Sequence, residues 1–202
     1  MPEGKRIQYI DVAKFLGILI VTFSHGYKEC IATCFIFSFH IPLFFFLNGM
    51  TLKLDGIRFA DFLVKKLKGY IVPAFGLGLF SVILDAIIRT SVHIALDDTF
   101  FLRGIAFTIN QIRFLSIWFL PAVFFCDIFL FGIYRACKNR IFLTGLGVLA
   151  LLGFGIVYNK YYKAPLFWNM DTAFFATTFT YFGYLLTSKK LARVYEPLMR
   201  TR

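Results

Sequence analysis

Six apolar runs alternate with short polar segments along this 202-residue chain. At a rise of about 1.5 Å per residue, a run of roughly 20 residues matches the hydrocarbon core of a bilayer, about 30 Å thick. The pattern predicts membrane-spanning helices over residues 7–27, 35–52, 71–92, 114–134, 141–158 and 170–187. Between them it predicts a polar, basic loop over 53–70, a long connection over 93–113, a tight basic turn after 134 and a loop over 159–168. Pro73 falls in the first turn of the third run, where a missing amide costs least. Gly145, Gly147, Gly153 and Gly155 dot the fifth, where small residues let helices approach closely. The predicted fold class is all-α, a polytopic transmembrane helical bundle of six spans forming a single domain over 1–202.

Composition agrees with this pattern. The chain is 59% hydrophobic with a mean hydropathy of +0.73, more apolar surface than a soluble domain can carry without large exposed patches. The net charge of +11 raises the question of nucleic acid, but the basic residues cluster between apolar runs and form no recognition helix or aromatic–basic repeat. With the N-terminus placed in the cytoplasm, inner segments hold 15 of the 22 Lys and Arg. The positive-inside rule then puts both termini in the cytoplasm, as in a multi-pass protein of the plasma or inner membrane. Lys5 and Arg6 before an apolar run imitate a signal peptide, but Asp11 and Lys14 interrupt that run and no small-residue cleavage site follows. An uncleaved first span is expected. Cys30, Cys34, Cys126 and Cys137 form neither a CxxC pair nor a cluster with zinc-like spacing, so no metal is expected.

The first two runs carry the chemistry. Asp11, Lys14, Ser24 and His25 are set into the first, and His40, Pro42 and Asn48 into the second. A charge at membrane depth costs roughly 2.5–3.5 kcal/mol on insertion scales and usually faces a protein interior or a wet cavity. Lys14 and His25 are 11 residues apart, close to a whole number of turns, so they share a helix face about 16 Å apart along the axis. Asp11, three residues before Lys14, is within reach of an ion pair that lowers the cost of both charges. The plainer reading makes Asp11 and Lys14 a neutralised pair with Lys14 snorkelling to the interface, and His25 and His40 interfacial or packed histidines. Asn48, before Gly49, reads equally as a cap or a ligand contact. Lys65, Lys66 and Lys68 form a basic cluster, read either as ordinary cytoplasmic charge bias or as a phosphate-binding patch for a nucleotide-like donor.

RIQYIDVAKFLGILIVTFSH, SFHIPLFFFLNG, VKKLKGYIVP, WFLPAVFF and DTAFFATTFTYFGYLL, in this order and spacing, resemble the integral-membrane acyltransferase family 3, the O-acetyltransferase and fucose-4-O-acetylase-like group. The resemblance implies transfer of an acetyl or other acyl group from acetyl-CoA to a hydroxyl of a cell-surface glycan or its lipid-linked precursor. In the family's first span an arginine precedes a histidine by the interval that separates Lys14 from His25, so lysine stands here for arginine. Charge is kept but bidentate recognition is lost. On this reading His25 is general base, His40 orients or relays a proton, and Lys14 with Asp11 organises the inner half of the cavity or contacts the donor. Lys65, Lys66 and Lys68 hold the coenzyme A phosphates, and Asn48 contacts substrate.

The family has more spans than the six counted here, so the chain is expected to be a truncated reading frame, a fragment, or a protein that needs a partner chain. That sets a second expectation beside the enzyme, an inactive remnant or accessory membrane subunit. A third, a small transporter with Lys14, His25 and His40 as a proton path, lacks the paired interrupted segments of inverted repeats.

Overall fold

The computed structural model describes residues 8–26, 31–110 and 116–188, apart from some side chains within helices, those of His25 and Cys34 among them. Every regular element among the described residues is helical: α1 (Gln8–Gly26), α2 (Ile31–Thr51), α3 (Phe59–Lys66), α4 (Val72–Ser91), α5 (Phe100–Asn110), α6 (Phe119–Ala136), α7 (Ile141–Tyr161) and α8 (Met170–Thr187). A π-helical turn, Leu67–Ile71, joins α3 to α4, so that Phe59–Ser91 is one helix of 33 residues. Three helices, Phe59–Ser91, Phe119–Ala136 and Ile141–Tyr161, are long and apolar enough to cross a membrane. Their outward faces carry large exposed apolar side chains, among them Phe80, Ile87, Phe142 and Phe154. Lipid satisfies such faces and water does not.

Each of the six apolar runs contains a helix, but two predicted connections are corrected. Residues 53–70 are not a loop throughout: Phe59 starts a helix whose Phe62 is buried, because Phe59, Phe62 and Leu63 repeat at helical spacing beneath the lysines. Pro73 falls in the first turn of α4, as expected, but that turn continues the π turn before it instead of starting from a loop. It offers no N–H to the Gly69 carbonyl four residues back, and a locally widened turn relieves that mismatch. Residues 93–113 contain α5, whose start is organised by Asp97. Its carboxylate accepts hydrogen bonds from the Thr99 amide and hydroxyl, each 2.8 Å, and pairs with Arg103.

The chain divides into two compact units. The first holds α1, α2 and α8 from Ala176 onward. Here α2 and α8 meet backbone to backbone: a Cβ on Gly49 would stand 1.9 Å from the Thr180 carbonyl oxygen, and one on Gly183 1.9 Å from that of Phe46. Thr187 seals the contact by donating its hydroxyl to the Met50 carbonyl at 3.0 Å. On α1, Gly17 is buried against the Phe44 ring of α2. The helix α2 runs on through Pro42, Asn48 and Gly49 to Thr51, so Asn48 is not the cap the sequence allowed.

The second unit, residues 54–175, is built around α6. Phe131 stacks on Phe62 with ring centroids 4.4 Å apart, and Leu130, Ala122 and Cys126 are fully enclosed. The end of α6 anchors the preceding turn: Tyr134 donates to Asp55 at 2.7 Å and Arg135 to the Ile57 carbonyl at 2.6 Å. That turn needs Gly56, whose φ of +73° is the left-handed region. The glycines of α7 divide in role. Gly155 packs against Phe174 and Gly147 against Ile133, while Gly153 faces open space.

Candidate functional site

In the first unit the candidate residues lie on α1 and α2. Asp11 and Lys14 are half-buried on α1. His25 belongs to the last turn of α1 by its backbone; its side chain lies outside the described residues. His40 is half-buried on α2, and its Nδ1 lies 3.1 Å from the Ile36 carbonyl oxygen. A carbonyl only accepts, so in this contact Nδ1 is the donor. Asn48 is buried one turn further along the same helix than Phe44, and its carbonyl accepts from the Thr51 hydroxyl at 2.9 Å. Cys30 and the Cys34 side chain lie outside what is described; Cys126, buried, and Cys137 are in no disulfide among the described residues.

The three clustered lysines of the second unit part company. Lys65 and Lys68 are exposed, whereas Lys66 turns inward. The Lys66 ammonium stands 2.6 Å from Oδ2 of Asp127, a carboxylate with no solvent exposure, and lies over the rings of Phe62 and Tyr70 at 5.3 and 5.2 Å. Tyr70, within the π turn, hydrogen-bonds the same carboxylate. The sequence reading overlooked Asp127, although an acidic residue inside FLPAVFFCDIFLFGIY carries the same signal that singled out Asp11.

In this unit the chain forms a half-open cavity of about 590 Å³. It is bounded by Asn110 at the end of α5, Tyr158 and Asn159 at the end of α7, the connection through Lys163, and Asp171 with Phe175 at the start of α8. Both segments that match no motif, 93–113 and 159–168, contribute to its wall. The connection is pinned at several points. Tyr158 donates to the Ala164 carbonyl at 3.2 Å, the Leu166 amide to Asp171 Oδ1 at 3.1 Å, and the Trp168 indole to the Ile109 carbonyl at 2.8 Å. Those bonds hold Lys163, Trp168 and Asn169 at φ of 50°, 53° and 57°. For a residue as bulky as tryptophan the left-handed region costs roughly 1–3 kcal/mol, a strain that persists only where the surroundings impose it. Asn169 is buried in the wall, while Asn159 and Phe167 are exposed at it.

Among the described residues no group of three or more His, Cys, Asp or Glu is arranged to hold a metal ion. No protein-family model, no curated protein and no solved structure matches the chain.

Proposed function

We propose that this chain is a membrane O-acyltransferase that moves an acetyl group from acetyl-CoA to a hydroxyl of a cell-surface polysaccharide or its lipid-linked precursor. The observation that carries the reading is the set of polar residues built into α1 and α2, in the order Asp11, Lys14, His25, His40, Asn48, together with the blocks that follow them. An apolar anchor has no use for them. The half-burial of Lys14 and His40 and the burial of Asn48 support it, since side chains serving only to face lipid would be apolar and exposed.

In this mechanism the acceptor hydroxyl loses its proton to the His25 imidazole as its oxygen attacks the thioester carbonyl. Collapse of the tetrahedral adduct expels the coenzyme A thiolate, which takes the proton back, leaving an ester and a free thiol. The thioester is already activated, so the protein chiefly positions the reactants and handles one proton. Lys14 balances charge in the inner half of the site. Lys65 and Lys68 hold coenzyme A phosphates; Lys66, engaged with Asp127, does not. The six-span topology with both termini in the cytoplasm, in a plasma or inner membrane, belongs to the same reading.

The test is acetyl-group labelling of polysaccharide in membranes containing the chain or its His25→Ala variant, with labelled acetyl-CoA as donor. The wild-type chain transfers label and His25→Ala loses at least about a hundredfold in rate. Equal labelling by both removes His25 from the mechanism, and no labelling by the wild type removes the enzyme.

A further inference from the structure

We propose that the cavity between α5, α7 and the 162–169 connection binds an uncharged pyranose, the ring of a neutral sugar. Its volume of about 590 Å³ falls in the range of small-molecule sites, roughly 300–1,000 Å³. Asn159 brings an exposed amide to the wall, Asn110 one whose nitrogen also donates to the Ala106 carbonyl at 2.8 Å, Asn169 a buried one, and Thr172 a hydroxyl. An amide presents one acceptor and two donors, which complements hydroxyls that also do both.

Charge argues against an anion. Among the described residues the wall holds one cation, Lys163, and one carboxylate, Asp171, which already accepts the Leu166 amide, so these residues offer no excess positive charge. The remaining wall is apolar, with Ala164, Pro165 and Leu166 beside three rings, those of Phe167, Phe175 and Tyr158. Phe167 is steadied by stacking on Trp168 with centroids 4.7 Å apart, and Tyr158 by stacking on Tyr162 at 5.3 Å. A pyranose has a flat C–H face for such rings and an equatorial rim of hydroxyls for the amides. A linear polyol has the hydroxyls without the face. The left-handed conformations at Lys163, Trp168 and Asn169, held by three side-chain hydrogen bonds, fix this wall in advance of any ligand. As a sugar-binding site the cavity stands independently of the transfer proposed above; only the reading of its ligand as an acceptor rests on that proposal.

The experiment uses the full chain in lipid nanodiscs without acyl-CoA. Binding of the methyl glycosides of glucose, galactose and mannose is followed by saturation-transfer NMR and calorimetry, beside sorbitol and methyl glucuronide. At least one neutral glycoside binds saturably, sorbitol does not, and the glucuronide binds more weakly than its neutral counterpart. Asn159→Ala and Phe167→Ala, both exposed at the wall, each weaken binding about tenfold at an unchanged melting temperature. Absence of saturable binding by all three glycosides, binding of sorbitol as tight as theirs, a tighter glucuronide, or wild-type binding by both variants overturns the proposal. A chain that binds sugar but never labels it with acetyl loses only the acyltransferase reading. A chain that acetylates with both variants at full rate, and binds no glycoside, loses only this one.

Discussion

The Lys66 ammonium meets the Asp127 carboxylate at 2.6 Å inside a helical unit where Asp127 has no exposed surface. The two are 61 residues apart in sequence, and their meeting sets the packing of the Phe59–Ser91 helix on α6. Two charges withdrawn together cost far less than one withdrawn alone.

Removing one partner is therefore expected to be severe. Asp127→Ala leaves the ammonium enclosed without its counter-charge and destabilises by about 3–5 kcal/mol. The double variant Lys66→Met with Asp127→Leu removes both charges and loses much less than the two single losses combined. Thermal unfolding in one detergent checks both. Asp127→Ala melting with the wild type would show that the pair does not support the fold.

Gly49 and Gly183 admit no side chain. A methyl at either would meet a carbonyl oxygen of the facing helix at 1.9 Å, and backbone cannot rotate aside. Gly49→Ala and Gly183→Ala are each expected to destabilise by at least about 1–3 kcal/mol, the usual penalty of overpacking. Gly132→Ala, where nothing lies within 4 Å, is expected to be neutral or to stabilise α6 by roughly 0.5–1 kcal/mol. Melting temperatures of the three variants test the contrast.

The Asp97 carboxyl is held below its ordinary range, first by the Thr99 hydroxyl, then by the Thr99 amide and the Arg103 guanidinium. A carboxyl depressed in the folded state contributes stability above its unfolded value, near 3.9, and loses it as pH falls through the folded one. The start of α5 is thus expected to loosen below about pH 4. Protection factors at Thr99 and Phe100, which correct for the intrinsic pH dependence of exchange, should fall there, and Asp97→Asn should abolish that fall. Protection that stays constant with pH in the wild type would exclude the cap.

On the proposed reaction, Lys14→Gln lowers kcat/KM about tenfold or more while Lys14→Arg keeps most of it, because the position supplies charge and not a fork of donors. The double variant Lys65→Gln with Lys68→Gln raises the KM for acetyl-CoA roughly threefold to fivefold, an effect that fades with salt, as exposed charge does. Steady-state kinetics at two ionic strengths separate these outcomes. An unchanged KM would free both lysines from donor binding.

The apolar runs located the helices closely: the run at 170–187 is α8, Met170–Thr187, and the run at 7–27 is α1, Gln8–Gly26. Helix length is a local property, legible from a stretch of side chains. The stretch 59–70 reads as a loop because Lys65, Lys66 and Lys68 break its apolar run, while in the fold Phe62 and Lys66 turn inward. The segments 93–113 and 159–168 showed no motif, since a cavity wall of amides and rings has no fixed spacing.

By itself the sequence determined that this chain is helical and apolar enough for a membrane, because hydrophobic length and helical periodicity act between near neighbours. Only the tertiary structure decided that Lys66 belongs to Asp127, that Gly49 and Gly183 are notches for facing backbone, and that Asn110, Asn159 and Asn169 share one cavity. Those facts depend on which helix faces meet. An apolar stripe specifies that it must be covered or sit in lipid, but not by which partner; that choice is made by the fit of small residues, charges and hydrogen bonds far apart in the chain.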